Sequence, residues 1–247
     1  MRRVRIVVAY DGTNYCGWQV QNNAVTIEGI LNRELSKITG EEIRVIGASR
    51  TDSGVHAMGN VAVFDTKSPV PPKRMMYVIN QRLPKDIVVV DSDEVAPDWH
   101  PRHQDNVSKT YEYRIYNAQL PNPLKIRYST FVSYTMDIEK MREGAQYLIG
   151  EHDFASFCNI RTNAESTVRT IYAIEISREG SEIIIRVTGN GFLYNMVRII
   201  AGTLIRVGRG YYEPERVKNI LDAKLRTEAG ITAPANGLAL VEINYNN

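Results

Sequence analysis

The order of elements along the chain predicts an α+β fold: a mainly antiparallel, mixed sheet flanked by helices. The first half reads β-α-β-β-α-β, the split pattern of ferredoxin-like units. Several links between successive strands are too short for parallel crossovers. The second half repeats the theme loosely, with a hairpin at its centre and a strand at its end.

Residues 4–10 are β-branched and apolar and stop at the turn pair Asp11-Gly12, which predicts a first strand. A helix follows over 26–38, where Ile27, Ile30, Leu31, Leu35 and Ile38 recur at helical spacing. Thr26 stands at its N-cap position and Gly40 just past its end. Short strands are expected over 43–48 and 60–66, the second alternating Val61, Val63 and Asp65 against Ala62 and Phe64. Pro71-Pro72 opens a second helix to about Arg82, Pro84 closes it, and 87–90 reads as a strand. The stretch 97–105 has two prolines and no apolar periodicity, so the chain is expected to divide there into halves 1–104 and 105–247.

In the second half, 110–116 alternates tyrosines with Glu112 and Arg114, a strand with one polar face, and 128–133 reads as another. Asp137 caps a helix to about Ile149, with Gly150 beyond it. Residues 167–176 and 182–188 form a hairpin around 178–181. An apolar helix over 193–207, a polar one over 214–223 and a closing strand over 238–243 complete the order.

The 247 residues are 43% apolar and 23% charged, which argues against disorder, collagen-like repeats and coiled coil. No apolar run approaches the roughly 20 residues that span a bilayer. The basic start, Met1-Arg2-Arg3, leads straight into a strand rather than a secretory leader. Two cysteines, Cys16 and Cys158, make neither a disulfide framework nor a zinc knuckle, so the cytoplasm is the expected compartment. A net charge of +2 leaves nucleic acid open without arguing for it.

Few segments carry chemistry. His100 and His103 are the only close histidine pair, with no carboxylate or cysteine nearby to complete a metal shell. Gly189-Asn190-Gly191 begins like a dinucleotide fingerprint but lacks the third glycine, and reads as a turn. The segment from Gly47 to Ala57 concentrates a cation, a carboxylate and hydroxyls between two strands, where function often sits. Its Asp52-Ser53-Gly54 is either a plain turn or an aspartic-protease signature, and Arg50 opposes a shared-proton dyad. Arg198 is the one charge in the apolar run 192–204, either snorkelling or holding a carboxylate in a cleft. One turn on, Ala201 and Gly202 would let another backbone approach. Tyr111 and Tyr113 share a strand face, as sheet core or as a platform for stacked bases.

Taken together, Tyr10 to Gln19, Arg50 to Ala57, Lys109 to Tyr113, Gly150 to Phe157, Asn190 to Arg198 and Ala233 to Leu238 resemble the tRNA pseudouridine synthase A family over essentially the whole chain. Ser49 stands where the family often has glycine. The resemblance implies the pseudouridine synthase fold, with two ferredoxin-like (RRM-like) halves forming one sheet and the active-site cleft between them. It implies an isomerase that converts uridine to pseudouridine at positions 38, 39 and 40 of the tRNA anticodon stem-loop, with no cofactor or metal. Asp52 then matches the catalytic aspartate and Arg198 the cation paired with it. Tyr111 matches the residue stacked on the target uracil, and Arg50 the one that fills the gap left by the flipped nucleotide. A homodimer with shared tRNA clefts is implied, and no membrane. An RNA-binding module with dead chemistry is the alternative, and it would be expected to have lost Asp52 or Arg198. Arg2, Arg3, Arg5, Lys73, Arg74, Lys109, Arg161 and Arg169 are the candidate phosphate contacts.

Overall fold

The computed structural model describes residues 1–105, 107–159 and 165–245, in two compact units. The first comprises Met1–Val107 and the closing stretch from Ala239, and the second is Ser108–Leu238. Arg161 lies outside the described residues.

In the first unit the chain forms β1 (Arg2–Tyr10), α1 (Ile27–Thr39), β2 (Ile46–Gly47), β3 (His56–Thr66), α2 (Pro72–Asn80) and β4 (Ile87–Val95). β1 lies between β4 and β3, β2 pairs with β3, and all three pairings are antiparallel. This is the strand order of a ferredoxin-like unit. β1 shows why the sequence folds this way. Val4, Ile6, Val8 and Tyr10 point into the core, where Ile27, Leu31 and Leu35 of α1 and Met75 and Ile79 of α2 are also buried. Each such side chain contributes about 1.5–3 kcal/mol. The alternate residues Arg3 and Arg5 form forked ion pairs with Asp65 (2.8 and 2.7 Å) and Asp93 (2.8 and 2.5 Å).

The ends of α1 follow the sequence. Thr26 Oγ1 accepts from the Gly29 N–H at 3.3 Å, and Gly40 closes the helix at φ 72°. β2 is shorter than the strand expected over 43–48 because α1 takes its donors. The Ile43 N–H goes to Ser36 Oγ (2.9 Å) and the Val45 N–H to Asn32 Oδ1 (2.8 Å).

The closing strand β10 (Leu238–Tyr245) runs parallel to the start of β3, with Ala239 opposite His56 and Leu240 opposite Ala57. From Ala239 it therefore belongs to the first unit, although a division at 104/105 assigns it to the other half. Gly59 makes room for it, since a Cβ there would lie 2.9 Å from the Val241 carbonyl oxygen. The Tyr245 hydroxyl donates to the Pro101 carbonyl at 2.9 Å, and its ring meets Trp99 edge-on.

The second unit contains β5 (Val107–Asn117) from Ser108 on, β6 (Thr130–Val132), α3 (Ile138–Gln146), β7 (Gly150–Asp153), β8 (Val168–Glu179), β9 (Glu182–Gly189), α4 (Met196–Gly208) and α5 (Arg216–Ala223). Its strands run β5-β9-β8-β7, all antiparallel, with β6 added parallel to β5. The expected hairpin is β8–β9, and Asp137 caps α3 by accepting from the Lys140 N–H. Asn190 makes the predicted turn, its amide oxygen taking the Thr170 N–H at 3.0 Å. α4 is almost wholly buried and begins at Met196, not 193, because Asn195 sits in the left-handed region at φ 61°. Among the described residues, no helix is long and apolar enough to cross a membrane.

The small residues of α4 admit a second backbone, as expected. A Cβ on Gly202 would sit 1.9 Å from the Ile231 carbonyl oxygen, and one on Gly230 would sit 2.6 Å from the Thr203 nitrogen. Thr203 Oγ1 accepts from the Gly230 N–H at 3.0 Å and donates to the Ile199 carbonyl at 2.8 Å. Gly202→Ala should therefore destabilise by about 1–3 kcal/mol in urea unfolding, because backbone rather than a flexible side chain must move. A Gly202→Ala variant as stable as the parent would show that this segment does not lie on the helix.

Candidate active site

The Asp52 loop joins β2 to β3 and has no regular structure of its own, so other elements must hold it. The motif 10–19 does so. The Trp18 N–H donates to the Thr51 carbonyl at 3.0 Å, and the Gly54 N–H to the Tyr15 carbonyl at 3.2 Å. The Tyr10 and Thr51 hydroxyls hydrogen-bond at 2.8 Å, and the Asn60 amide of β3 donates to the Ser49 carbonyl at 3.0 Å. Two glycines make this approach possible. A Cβ on Gly12 would lie 2.0 Å from the Val55 oxygen, and one on Gly17, at φ 82°, would lie 2.5 Å from the Thr51 oxygen. The loop turns where the Val55 N–H donates to the Asp52 carbonyl at 3.1 Å, with Gly54 at φ 76°.

The outcome is a gradient of exposure. Ser49 and Thr51 are buried, Asp52 is half-buried and Arg50 is exposed. Trp18 is buried against Gly47, where a Cβ would come within 2.4 Å of its ring. Asp11 has a different place. Its carboxylate accepts from the Thr13 N–H (3.0 Å) and lies 3.1 Å from His56 Nδ1, so it caps a turn.

Arg198 lies in the first turn of α4, half-buried. Its Nε–H donates to the Ala233 carbonyl at 2.7 Å and an Nη1–H to Asn195 Oδ1 at 2.8 Å. The left-handed Asn195 thus turns its amide back onto the guanidinium three residues on. The tail motif 233–238 serves the same framework. The Ala233 N–H donates to the Arg198 carbonyl (3.1 Å), and the Pro234 carbonyl accepts from the Tyr113 hydroxyl (2.9 Å). The Asn236 amide donates to the Ile126 and Ser129 carbonyls (2.7 and 2.9 Å). Tyr111 and Tyr113 are both buried on β5. The Tyr111 ring meets Phe192 edge-on at 5.1 Å, and the Tyr113 hydroxyl bonds Thr130 Oγ1 at 2.6 Å. Tyr113 is therefore core, as one of the two sequence readings held.

Asn195 was not visible as a site residue in the sequence, and its only signal is an Asn-x-x-Arg spacing at a helix start. Conversely, Gly150 to Phe157 proves structural. Asp153 accepts from the Thr167 hydroxyl (2.5 Å) and pairs with Lys224 (3.1 Å), Ser156 bonds the Ile220 carbonyl, and Phe154 and Phe157 are buried. Among the candidate phosphate contacts, Arg3 and Arg5 are neutralised by aspartates, and Arg2 donates to the Ser68 and Val70 carbonyls. Within the first unit the structure groups Asp52 and Arg50, and within the second Arg198, Asn195 and Tyr113.

Comparison with known proteins supplies the family. A family model described as tRNA pseudouridine synthase matches residues 6–104 and 145–246. The tRNA pseudouridine synthase A of Thermoanaerobacter sp. (strain X514) is 48% identical over 245 residues, covering 99% of this chain and all of its own. Those of Acetivibrio thermocellus and Brevibacillus brevis are 46% and 45% identical, each over 99% of this chain and all of theirs.

Burial pushes the Tyr113 hydroxyl up to about 12, against hydrogen bonding from Thr130 and the positive field of Arg198, which pull it down. Its folded value lies above its unfolded one, near 10. The stability from the buried phenol is therefore complete below pH 10 and is lost between about 10 and 12. Tyr113→Phe should be less stable at neutral pH but lose less on going to pH 11, measured by urea unfolding. An unchanged alkaline loss would place the phenol in contact with solvent.

Proposed function

The chain belongs to the tRNA pseudouridine synthase family and is an isomerase acting on tRNA, and we propose that Asp52 is its catalytic group and the anticodon stem-loop, at positions 38, 39 and 40, its target. Making pseudouridine breaks the N1–C1′ glycosidic bond, turns the uracil and joins C5 to C1′. The proton on C5 is lost and N1 gains one, so the product is an isomer. No electrons enter or leave and no water is consumed, so the step needs no redox cofactor. The carboxylate of Asp52 acts by covalent catalysis, and Arg198 keeps it ionised. Tyr111 offers its ring to the target uracil, and Arg50 takes the place of the nucleotide that leaves the stack.

The observation that carries this reading is the bracing of the Asp52 loop. Hydrogen bonds from Trp18, Asn60 and Gly54 fix the backbone on both sides of Asp52, and the Tyr10 hydroxyl holds the Thr51 side chain. A plain surface turn would not need that investment, whereas a nucleophile must be placed to within about 0.5 Å. Arg198, held by Asn195 and the Ala233 carbonyl, is fixed in the same way. We also propose a cytoplasmic homodimer. Leu120, Leu124 and Ile126, exposed in the segment before β6, support an apolar contact between copies.

Asp52→Asn tests the catalytic assignment. It should abolish pseudouridine formation in tRNA while leaving affinity within a few-fold, because most binding comes from phosphates. A variant that turns over tRNA at a near-parental rate would refute the role of this carboxylate.

A further inference from the structure

Arg3 and Arg5, on the sheet of the first unit, are neutralised at close range by Asp65 and Asp93, while Arg33 and Arg44 pair with Glu34 and Glu42. Arg50 and Arg102 differ from these four. Among the described residues neither has a carboxylate within ion-pair distance. They are nevertheless close enough for the charge of Arg50, after burial, to pull the Arg102 pKa down. Glu28 opposes that shift only weakly, and its Oε2 is occupied by the Val20 N–H at 2.8 Å.

Arg102 is also built into place. It sits in a turn closed on His100, whose carbonyl accepts from the His103 N–H (3.2 Å) and the Gln104 amide (3.0 Å). The Arg102 N–H itself donates to His100 Nδ1 at 3.2 Å, and the imidazoles of His100 and His103 stack at 4.1 Å. The far end is anchored too: Nε–H donates to the Gly47 carbonyl at 2.7 Å. Gly47 ends β2 and leads directly into the loop of Arg50 and Asp52. With Nε used, both Nη groups are left to form a fork, the geometry that suits two oxygens of a phosphate. Neighbouring like charges repel, and a phosphate seated on Arg102 lowers that cost.

We propose that Arg102 binds a backbone phosphodiester of the tRNA strand beside the target nucleotide, the phosphate charge screening the neighbouring Arg50, which makes Arg102 a substrate-positioning residue. This rests on the reading of the Asp52 loop as the catalytic loop. The phosphate seated on the Arg102 fork fixes the strand relative to β2, and thereby relative to Asp52, while screening Arg50.

The test is the full-length chain with Arg102→Gln and Arg102→Lys, assayed for tRNA binding across a salt series and for pseudouridine formation. Arg102→Gln should bind about 10-fold more weakly at low salt. Its plot of log affinity against log salt should be shallower by about 0.7–0.9, the loss of one phosphate contact. KM should rise with kcat held within about two-fold. Arg102→Lys should restore the parental slope, since the charge remains. A tether that serves only to hold the turn on Gly47 predicts otherwise: lysine as impaired as glutamine, or an unchanged slope, and either result overturns the proposal. Both variants are read by binding as well as turnover, so an active Asp52→Asn would sink the catalytic assignment while leaving the Arg102 slope interpretable.

Discussion

A carboxylate carried on a loop must be held by backbone contacts from elsewhere, and that constraint organises the first unit. Beyond Ala48, whose N–H bonds the Val61 carbonyl, the loop between β2 and β3 pairs with no strand, and Trp18, Tyr15 and Asn60 bond the peptide groups of Thr51, Gly54 and Ser49. The close approach demands Gly12 and Gly17, and the packing of Trp18 demands Gly47. These three glycines, with Tyr10, Trp18 and Asn60, explain why residues far from Asp52 in sequence belong to the same motif set. The sheet beneath them supplies rigidity: β1 is buried on its inner face and cross-braced by forked Arg–Asp pairs on the other.

The second unit solves a similar problem by burial. A guanidinium near the start of an apolar helix is stable only if its donors find acceptors, and Ala233 and Asn195 provide them. Asn195 adopts a left-handed conformation to do so, an energetic cost of roughly 1 kcal/mol that an ordinary helix start would avoid. Gly202 and Gly230 bring the segment 229–233 onto α4, which places the Ala233 carbonyl under Arg198. Helix, tail segment and Tyr113 are thus mutually fixed, and the cation inherits their rigidity.

Much of this was legible in the sequence because local signals agreed with the fold. α1 shows its periodicity, cap and terminal glycine together, and the β8–β9 hairpin shows its turn. The small residues after Arg198 announced a close backbone approach. Misses arose where a distant partner decides the structure. β2 shrinks because Asn32 and Ser36 of α1 take its donors. β7, Gly150-Glu151-His152-Asp153, carries no alternating apolar pattern and exists through pairing with β8. β3 begins at His56 because β10 pairs with it there. Of the candidate site, Asp52, Arg50, Arg198 and Tyr111 could be named from motif resemblance. Arg102 and Asn195 could not, because what singles them out is a partner that only the fold supplies, the Gly47 carbonyl for Arg102 and the Arg198 guanidinium for Asn195.

The proposal that Arg198 keeps Asp52 ionised requires the two side chains to be energetically coupled. Urea unfolding of the parent, Asp52→Asn, Arg198→Met and the double variant measures their coupling directly. The pairing predicts that the double variant loses less stability than the sum of the single losses, by about 0.5–3 kcal/mol, with pseudouridine formation absent from all three variants. Strict additivity, or a double variant that still isomerises tRNA, would contradict it.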